Sequence, residues 1–235
     1  MRGTKRGWAL GAVVFGAVVA MAGSVAAKDK TSEPGSSAYG KTLTEWMTLY
    51  FERSLSGDAD SMVKQVKLLP IPAGEWQGDG SFTSDDPSTF VGAMELTLEP
   101  GTPFVLPVAV WFGESYDTGQ QDDAEVDGAI FTGSRVLVTL DGDAIIDSDV
   151  DDLSDWYFGP TYFDPPVVYD EPTDYGATQA NFVQGLGFVH GPLSKGTHTL
   201  TLESEIIAFV PDYFNPGDLD VGVKYRNTWT ITVSK

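Results

Sequence analysis

The sequence predicts a mainly β protein, an antiparallel β-sandwich of immunoglobulin-like or jelly-roll type with one N-terminal amphipathic helix. Three observations predict this class. Short apolar runs follow residue 68, and several of them alternate with polar residues. Turn signals rich in Gly, Pro and Asp separate these runs. A single helical pattern precedes them. Strands at this spacing with one helix to cover a face are typical of packed antiparallel sheets.

The first residues have the layout of a secretory signal peptide. Three basic residues precede an apolar stretch, which ends in a small-residue cleavage pattern at Ala27. A retained membrane anchor is the alternative, but glycines interrupt the stretch. We therefore expect cleavage of residues 1–27 and a secreted or periplasmic protein with no membrane insertion after cleavage.

The mature chain is expected to be strongly acidic. The sequence has 14 basic and 34 acidic residues, a formal charge of −20. Residues 1–27 hold three of the basic and none of the acidic ones, so the mature charge would be −23. Nucleic acid and anionic lipid bind through Lys and Arg, so we exclude both as partners. Cysteine is absent, so packing rather than disulfides must stabilise the fold.

Residues 39–235 are predicted to form one domain, preceded by a flexible linker over 28–38. A helix is predicted over 42–55, because Thr42 and Glu45 form a capping-box pattern and apolar residues recur at helical spacing. This stripe would either line a pocket or face the core, and the core is favoured. Its members are Leu43, Trp46, Met47, Tyr50 and Phe51.

Strands are predicted wherever apolar residues alternate or run continuously between turns. Asp141-Gly142, between two apolar runs, indicates a two-residue hairpin. The predicted strands include Met94 to Leu98, Phe104 to Phe112, Val136 to Leu140, Ala144 to Ile146, Leu200 to Leu202, Leu219 to Tyr225 and Trp229 to Val233.

Several short motifs together resemble a known family. They are Tyr39-Gly40-Lys41-Thr42 with Trp46, Glu99-Pro100-Gly101, Val138-Thr139-Leu140-Asp141-Gly142, Gly191 to His198, and Asp220-Val221 to Val233. In this order they resemble uncharacterised secreted bacterial proteins in which a Trp-bearing helix (Tyr-Gly-Lys-Thr-x-x-x-Trp) precedes a β-sandwich-like domain. The resemblance spans nearly the whole mature chain and implies export and fold, but no activity.

An acidic run over residues 141–155 suggests a metal site. Asp147, Asp149 and Asp151 alternate as in the first half of a calcium-binding loop, where side chains two apart converge on one cation. Asp152 and Phe158 then stand where an EF-hand requires Gly and Glu. Two interpretations stay open: a calcium-stabilised sandwich loop of another type, and a solvated acidic turn. Calcium is the cofactor that the sequence suggests.

Aromatic residues alternate with prolines and acids over residues 156–175 without regular periodicity. A long irregular segment in a compact domain is more often functional or capping than a plain connection. Exposed rings beside carboxylates can stack on sugars and bind their hydroxyls, whereas the alternative is that the rings plug one end of the sandwich. The candidate ligand-binding residues are Trp156, Tyr157, Tyr162, Tyr169 and Tyr175.

Catalytic signatures are sparse. The sequence has no Gly-x-Ser-x-Gly motif and no cysteine, and its many acids make any single carboxylate pair uninformative. His190 and His198 would be neighbours if the turn between them joined antiparallel strands, although zinc requires three or four ligands. The favoured function is an exported, non-enzymatic binding or structural protein with a glycan or cell-envelope partner. The alternative is a secreted polysaccharide hydrolase with paired carboxylates.

Overall fold

The computed structural model describes residues 37–57, 61–82, 87–173, 175–208 and 221–234. The predicted signal peptide and nearly all of the predicted linker lie outside these ranges. Within them, no helix is long and apolar enough to cross a membrane.

The described strands form two sheets. The five-stranded sheet has the order β1 (Met62–Val63), β2 (Val66–Leu68), β5 (Phe104–Tyr116), β9 (Ala177–His190), β8 (Tyr157–Val168). The six-stranded sheet has the order β3 (Gly74–Phe82), β4 (Pro87–Leu98), β11 (Val221–Val233), β10 (Gly196–Ala208), β6 (Arg135–Leu140), β7 (Asp143–Asp147).

A hydrophobic core joins the two sheets. Leu106 and Phe188 from the five-stranded sheet belong to one buried cluster with Leu202 and Trp229 from the six-stranded sheet. The Trp229 indole is fully buried, and its Nε1 donates a hydrogen bond to the carbonyl oxygen of Pro70 at 2.8 Å. The predicted mainly β sandwich is therefore confirmed.

Helix α1 (Leu43–Leu55) forms a third layer on the five-stranded sheet. Thr42 caps it as predicted: the Glu45 amide donates to the Thr42 side chain, and the Thr42 amide donates to the Glu45 carboxylate at 2.7 Å. The predicted apolar stripe is buried, apart from a half-buried first residue. Gly187 of β9 permits this close packing, because a Cβ there would lie 2.3 Å from the Met47 methyl carbon.

Both sheets are mixed rather than purely antiparallel. Strand β4 pairs with β11 in parallel, and the short β2 pairs with β5 in parallel, whereas the other strand pairs are antiparallel. Parallel neighbours need long connections. This chain provides one, because β11 returns from the end of the sequence to lie between β4 and β10.

The predicted β6–β7 hairpin is confirmed. Asp141 and Gly142 have φ values of 55° and 89°, the left-handed conformation that a two-residue turn of this kind requires.

The prediction that residues 156–175 form an irregular segment is wrong, because most of these residues belong to strand β8. Pro160, Pro165 and Pro166 lie on this strand at the edge of the five-stranded sheet, where a missing backbone N–H is tolerated.

Candidate functional site

Tyrosines and carboxylates from four segments form two hydrogen-bonded groups beside β5, β8 and β9. Phe182 of β9 pairs with Tyr162 on one side and with Gly113, the neighbour of Glu114, on the other. The segment between β5 and β6 and the connection between β8 and β9 supply the other members. One group, on the α1 side of the sheet, consists of Glu114, Tyr116, Asp123, Tyr169 and Tyr175. The other, on the opposite side beside Phe182, consists of Glu125 and Tyr162. We name the two groups together the tyrosine–carboxylate patch.

Glu114 is the most buried member, with 7% of its surface exposed. Its Oε1 accepts hydrogen bonds from the hydroxyls of Tyr169 at 2.5 Å and Tyr175 at 3.4 Å. Burial raises the pKa of the Glu114 carboxyl and the charge of Asp123 adds to the rise, whereas the two tyrosine hydrogen bonds oppose it. Glu114 therefore holds a proton more tightly than an ordinary glutamate does.

Asp123 fixes the loop after β5 against that strand. Its amide donates to the Glu114 carbonyl at 3.0 Å, and its Oδ2 accepts from the Glu114 amide at 3.1 Å and from the Tyr116 hydroxyl at 2.9 Å. Burial is also the main cause that raises the pKa of Asp123. Asp123 and Glu114, two carboxyl groups with raised pKa values, are thus joined through hydrogen bonds to the backbone of Glu114.

Tyr162 and Tyr175 present the solvent-facing part of the patch, with 60% and 53% of their surfaces exposed. The Tyr162 hydroxyl donates to Glu125 Oε1 at 2.5 Å, and its ring lies 5.3 Å from the Phe182 ring. The Tyr162 ring is therefore oriented by its hydroxyl hydrogen bond, whereas the Tyr175 hydroxyl lies farther from its carboxylate. Such rings offer an apolar face next to hydrogen-bonding groups.

Trp156 and Tyr157 pack toward the core rather than presenting exposed rings. Trp156 is 5% exposed and lies in the core between the sheets, so its prediction as an exposed ligand-binding residue is corrected. Tyr157 is half-buried, and its ring lies 6.1 Å from the Phe131 ring. These two rings lie at the start of β8 and pack inward, as the plug interpretation expects, whereas Tyr162, Tyr169 and Tyr175 join the patch.

The predicted calcium ligands form a compact turn after β7. Asp151 Oδ2 accepts a hydrogen bond from the Asp147 amide at 2.9 Å, and Asp147 Oδ1 accepts one from the Asp149 amide at 3.0 Å. These carboxylates bind the turn's own backbone. Over the described part of the chain, no group of three or more His, Asp or Glu residues is placed to hold a metal ion.

The two histidines lie in different sheets, so the idea of neighbouring imidazoles is corrected. His190 ends β9, is fully buried, and stacks 5.1 Å from the Phe104 ring. His198 lies on β10, where its Nδ1 is 2.7 Å from Asp141 Oδ2. The turn between them crosses from one sheet to the other instead of joining adjacent strands.

No protein-family model, curated protein or solved structure matches this chain. The predicted kinship with uncharacterised secreted bacterial proteins therefore stays a prediction.

Glu114, Tyr116, Asp123 and Glu125 were not predicted from the sequence. One signal was present, because Glu114 is the first acid after a nearly continuous apolar run, and a charge at the end of a buried strand is unusual. Asp123 and Glu125 lie in an acidic segment and have no distinguishing pattern. Their role depends on contacts with residues distant in sequence.

Proposed function

We propose that this protein is an exported, non-enzymatic binding or structural protein that contacts a glycan or cell-envelope component through the tyrosine–carboxylate patch. The observation that carries the proposal is the exposure of Tyr162 and Tyr175, two rings whose hydroxyls lie against Glu125 and Glu114 respectively. Sugars offer apolar ring faces and many hydroxyls, and this surface offers a partner for each.

The positioning of the rings also supports binding. A side chain that is already held in place loses less conformational entropy when a ligand docks. Here Tyr162 is fixed by Glu125 and by its contact with Phe182, and Tyr169 is fixed by Glu114. Carboxylate oxygens that bond tyrosine hydroxyls retain further acceptor capacity for sugar hydroxyls.

The test is paired measurement of glycan binding and thermal melting on the mature protein. We expect Tyr162→Ala and Tyr175→Ala to weaken binding to a polysaccharide panel by about tenfold each, the loss expected when a contact of about 1.4 kcal/mol is removed. The melting temperature should change little, because both rings are largely exposed. Val168→Ala is the matched control, since that side chain is 67% exposed on the same strand.

Two outcomes would contradict the proposal. One is that the unmodified protein retains no glycan or isolated cell-envelope material. The other is that the tyrosine variants bind as tightly as the control.

A secreted polysaccharide hydrolase is the second candidate, and the raised pKa values of Glu114 and Asp123 favour it. A carboxyl whose pKa is raised holds its proton more tightly and can act as a general acid beside an ionised partner. The candidate is tested by reducing-end release from the same panel, with Glu114→Gln as the inactive variant. Binding without release supports the non-enzymatic proposal.

A further inference from the structure

The outer face of the six-stranded sheet carries a regular array of hydroxyls. On β10 the buried Leu200 and Leu202 alternate with Thr199 and Thr201, and on β11 the buried Trp229 alternates with threonines in the same way. Because successive side chains on a strand point to opposite faces, these threonines lie on the face away from the core. We name this array the threonine face; its members are Thr97, Thr139, Thr197, Thr199, Thr201, Thr228, Thr230 and Thr232.

Strand register arranges the array in rows. Thr201 pairs with Thr228 on one side and with Thr139 on the other, where the two Oγ1 atoms are 2.7 Å apart. A second row pairs Thr199 with Thr230. Neighbouring strands lie about 4.8 Å apart, and every second residue of a strand about 6.7 Å apart, so the hydroxyls repeat in two directions.

Charged side chains of alternating sign continue the array along the same strands. Lys224 Nζ lies 3.3 Å from Glu205 Oε1, and Arg226 Nε lies 3.6 Å from Glu203 Oε1. Arg135 of β6 pairs with Glu205 in the strand register. These residues line a depression of about 500 Å³, a volume within the range of small-ligand sites.

The chemistry of this face selects a class of ligand. Threonine hydroxyls both donate and accept hydrogen bonds, the cations donate, and the carboxylates accept. Three cations and four carboxylates, Asp147 and Asp149 among them, line the depression, so it does not attract a polyanion. The sequence charge of −20 also repels one. A repeating array fits a repeating ligand that also donates and accepts, which describes a neutral polysaccharide.

We propose that the threonine face and its adjoining depression bind a chain of neutral sugars, with a sugar unit in the depression and further units along the threonine rows. This inference deepens the proposed glycan binding and rests on it, but it names a different surface from the tyrosine–carboxylate patch. The two surfaces lie on different sheets, so substitutions can address them separately.

The probes are a soluble β-1,3-glucan, a xylan and a mannan, with polygalacturonate as the charged comparison, titrated calorimetrically into the mature protein. We expect at least one neutral polymer to bind and polygalacturonate to bind more weakly. The double variant Thr199→Val, Thr230→Val retains the shape of both side chains but removes two hydroxyls, and Arg226→Gln removes one donor charge. Each should weaken binding of the neutral polymer about tenfold.

Lys195→Gln is the matched control, because it removes a cation from an exposed turn outside the depression. Hydrogen exchange adds a readout of position: the bound neutral polymer should protect amides of β10 and β11. Binding lost in Tyr162→Ala but retained in the threonine-face variants overturns this inference and leaves the proposed function intact. Binding lost only in the threonine-face variants supports the inference and removes the patch as the contact surface. A protein that binds none of the neutral polymers overturns the inference.

Discussion

Trp156 and Tyr162 lie close together in the sequence, in similar surroundings of acids and prolines, yet their environments are opposite. Trp156 ends a single turn of 3-10 helix, Leu153–Trp156, that places its indole in the core. Tyr162 lies on an edge strand with its ring against Phe182 and its hydroxyl on Glu125. Composition alone could not separate the two, because the difference depends on which segments pack above each ring.

Trp156→Ala should therefore be strongly destabilising. Truncation of a buried aromatic removes contacts and leaves a cavity, so we expect a loss of about 3–5 kcal/mol in the free energy of unfolding. Urea denaturation measures it, with Val168→Ala as the exposed control. A loss below about 1 kcal/mol would mean that the indole does not belong to the core.

Glu114 should make stability depend on pH. The folded state binds its proton more tightly than the unfolded chain, so this group's contribution to stability falls as pH rises through the window between its ordinary and its raised pKa. Glu114→Gln cannot ionise. The variant's free energy of unfolding, relative to that of the unmodified protein, should therefore increase between about pH 4 and about pH 7.

Tyr169→Phe provides the complementary variant for the Glu114 experiment. It removes a hydrogen bond that lowers the pKa of Glu114, so the fall in stability with rising pH should become larger. A relative stability of Glu114→Gln that is constant across this range would contradict the assigned burial of the carboxyl.

Elements that depend on local sequence patterns were predicted correctly, whereas long-range strand pairing was not. Helix α1 and the β6–β7 hairpin follow from capping and turn residues that act within a few positions. Strand β8 was missed because Pro160 and Pro165 argue against a central strand, and only the sheet order shows that it is an edge. The tyrosine–carboxylate patch was half predicted for the same reason: its tyrosines form a sequence cluster, but Glu114 joins them only through the pairing of β5 with β9.

The cap of α1 gives a prediction for an element. Thr42→Ala removes the side-chain acceptor for the Glu45 amide and should cost about 1 kcal/mol of stability. Thr44→Ala lies in the first turn of the helix, two residues after the cap, where alanine is the better helix former, and serves as the control. Chemical denaturation of both variants decides the matter, and equal stabilities would contradict the capping role.

The acidic turn after β7 gives a second prediction for a single element. Because Asp147 and Asp151 already bind backbone amides of the turn, we expect millimolar calcium and a chelator to give the same melting temperature. An ion that bound only the native state would raise it. A calcium-dependent rise in melting temperature that Asp149→Asn abolishes would confirm the calcium-stabilised loop predicted from the sequence.

At the scale of the whole molecule, the export prediction concerns residues that the structure does not describe. The basic, apolar and small-residue regions of residues 1–27 predict cleavage after Ala27. Mass spectrometry of the secreted or periplasmic protein should find Lys28 as its first residue. A product that retains Met1 would contradict it, and Ala27→Asp, which spoils the cleavage pattern, should accumulate the uncleaved form.

The position of β11 has a consequence for when the protein can fold. This strand lies between β4 and β10, and its Trp229 is at the centre of the core, yet it is the part of the described chain that a ribosome makes last. Until it arrives, β4 and β10 lack their shared neighbour, and the six-stranded sheet remains in two pieces. The core around Trp229 therefore closes only after residues 221–233 have been added between these two strands, however early the other strands form.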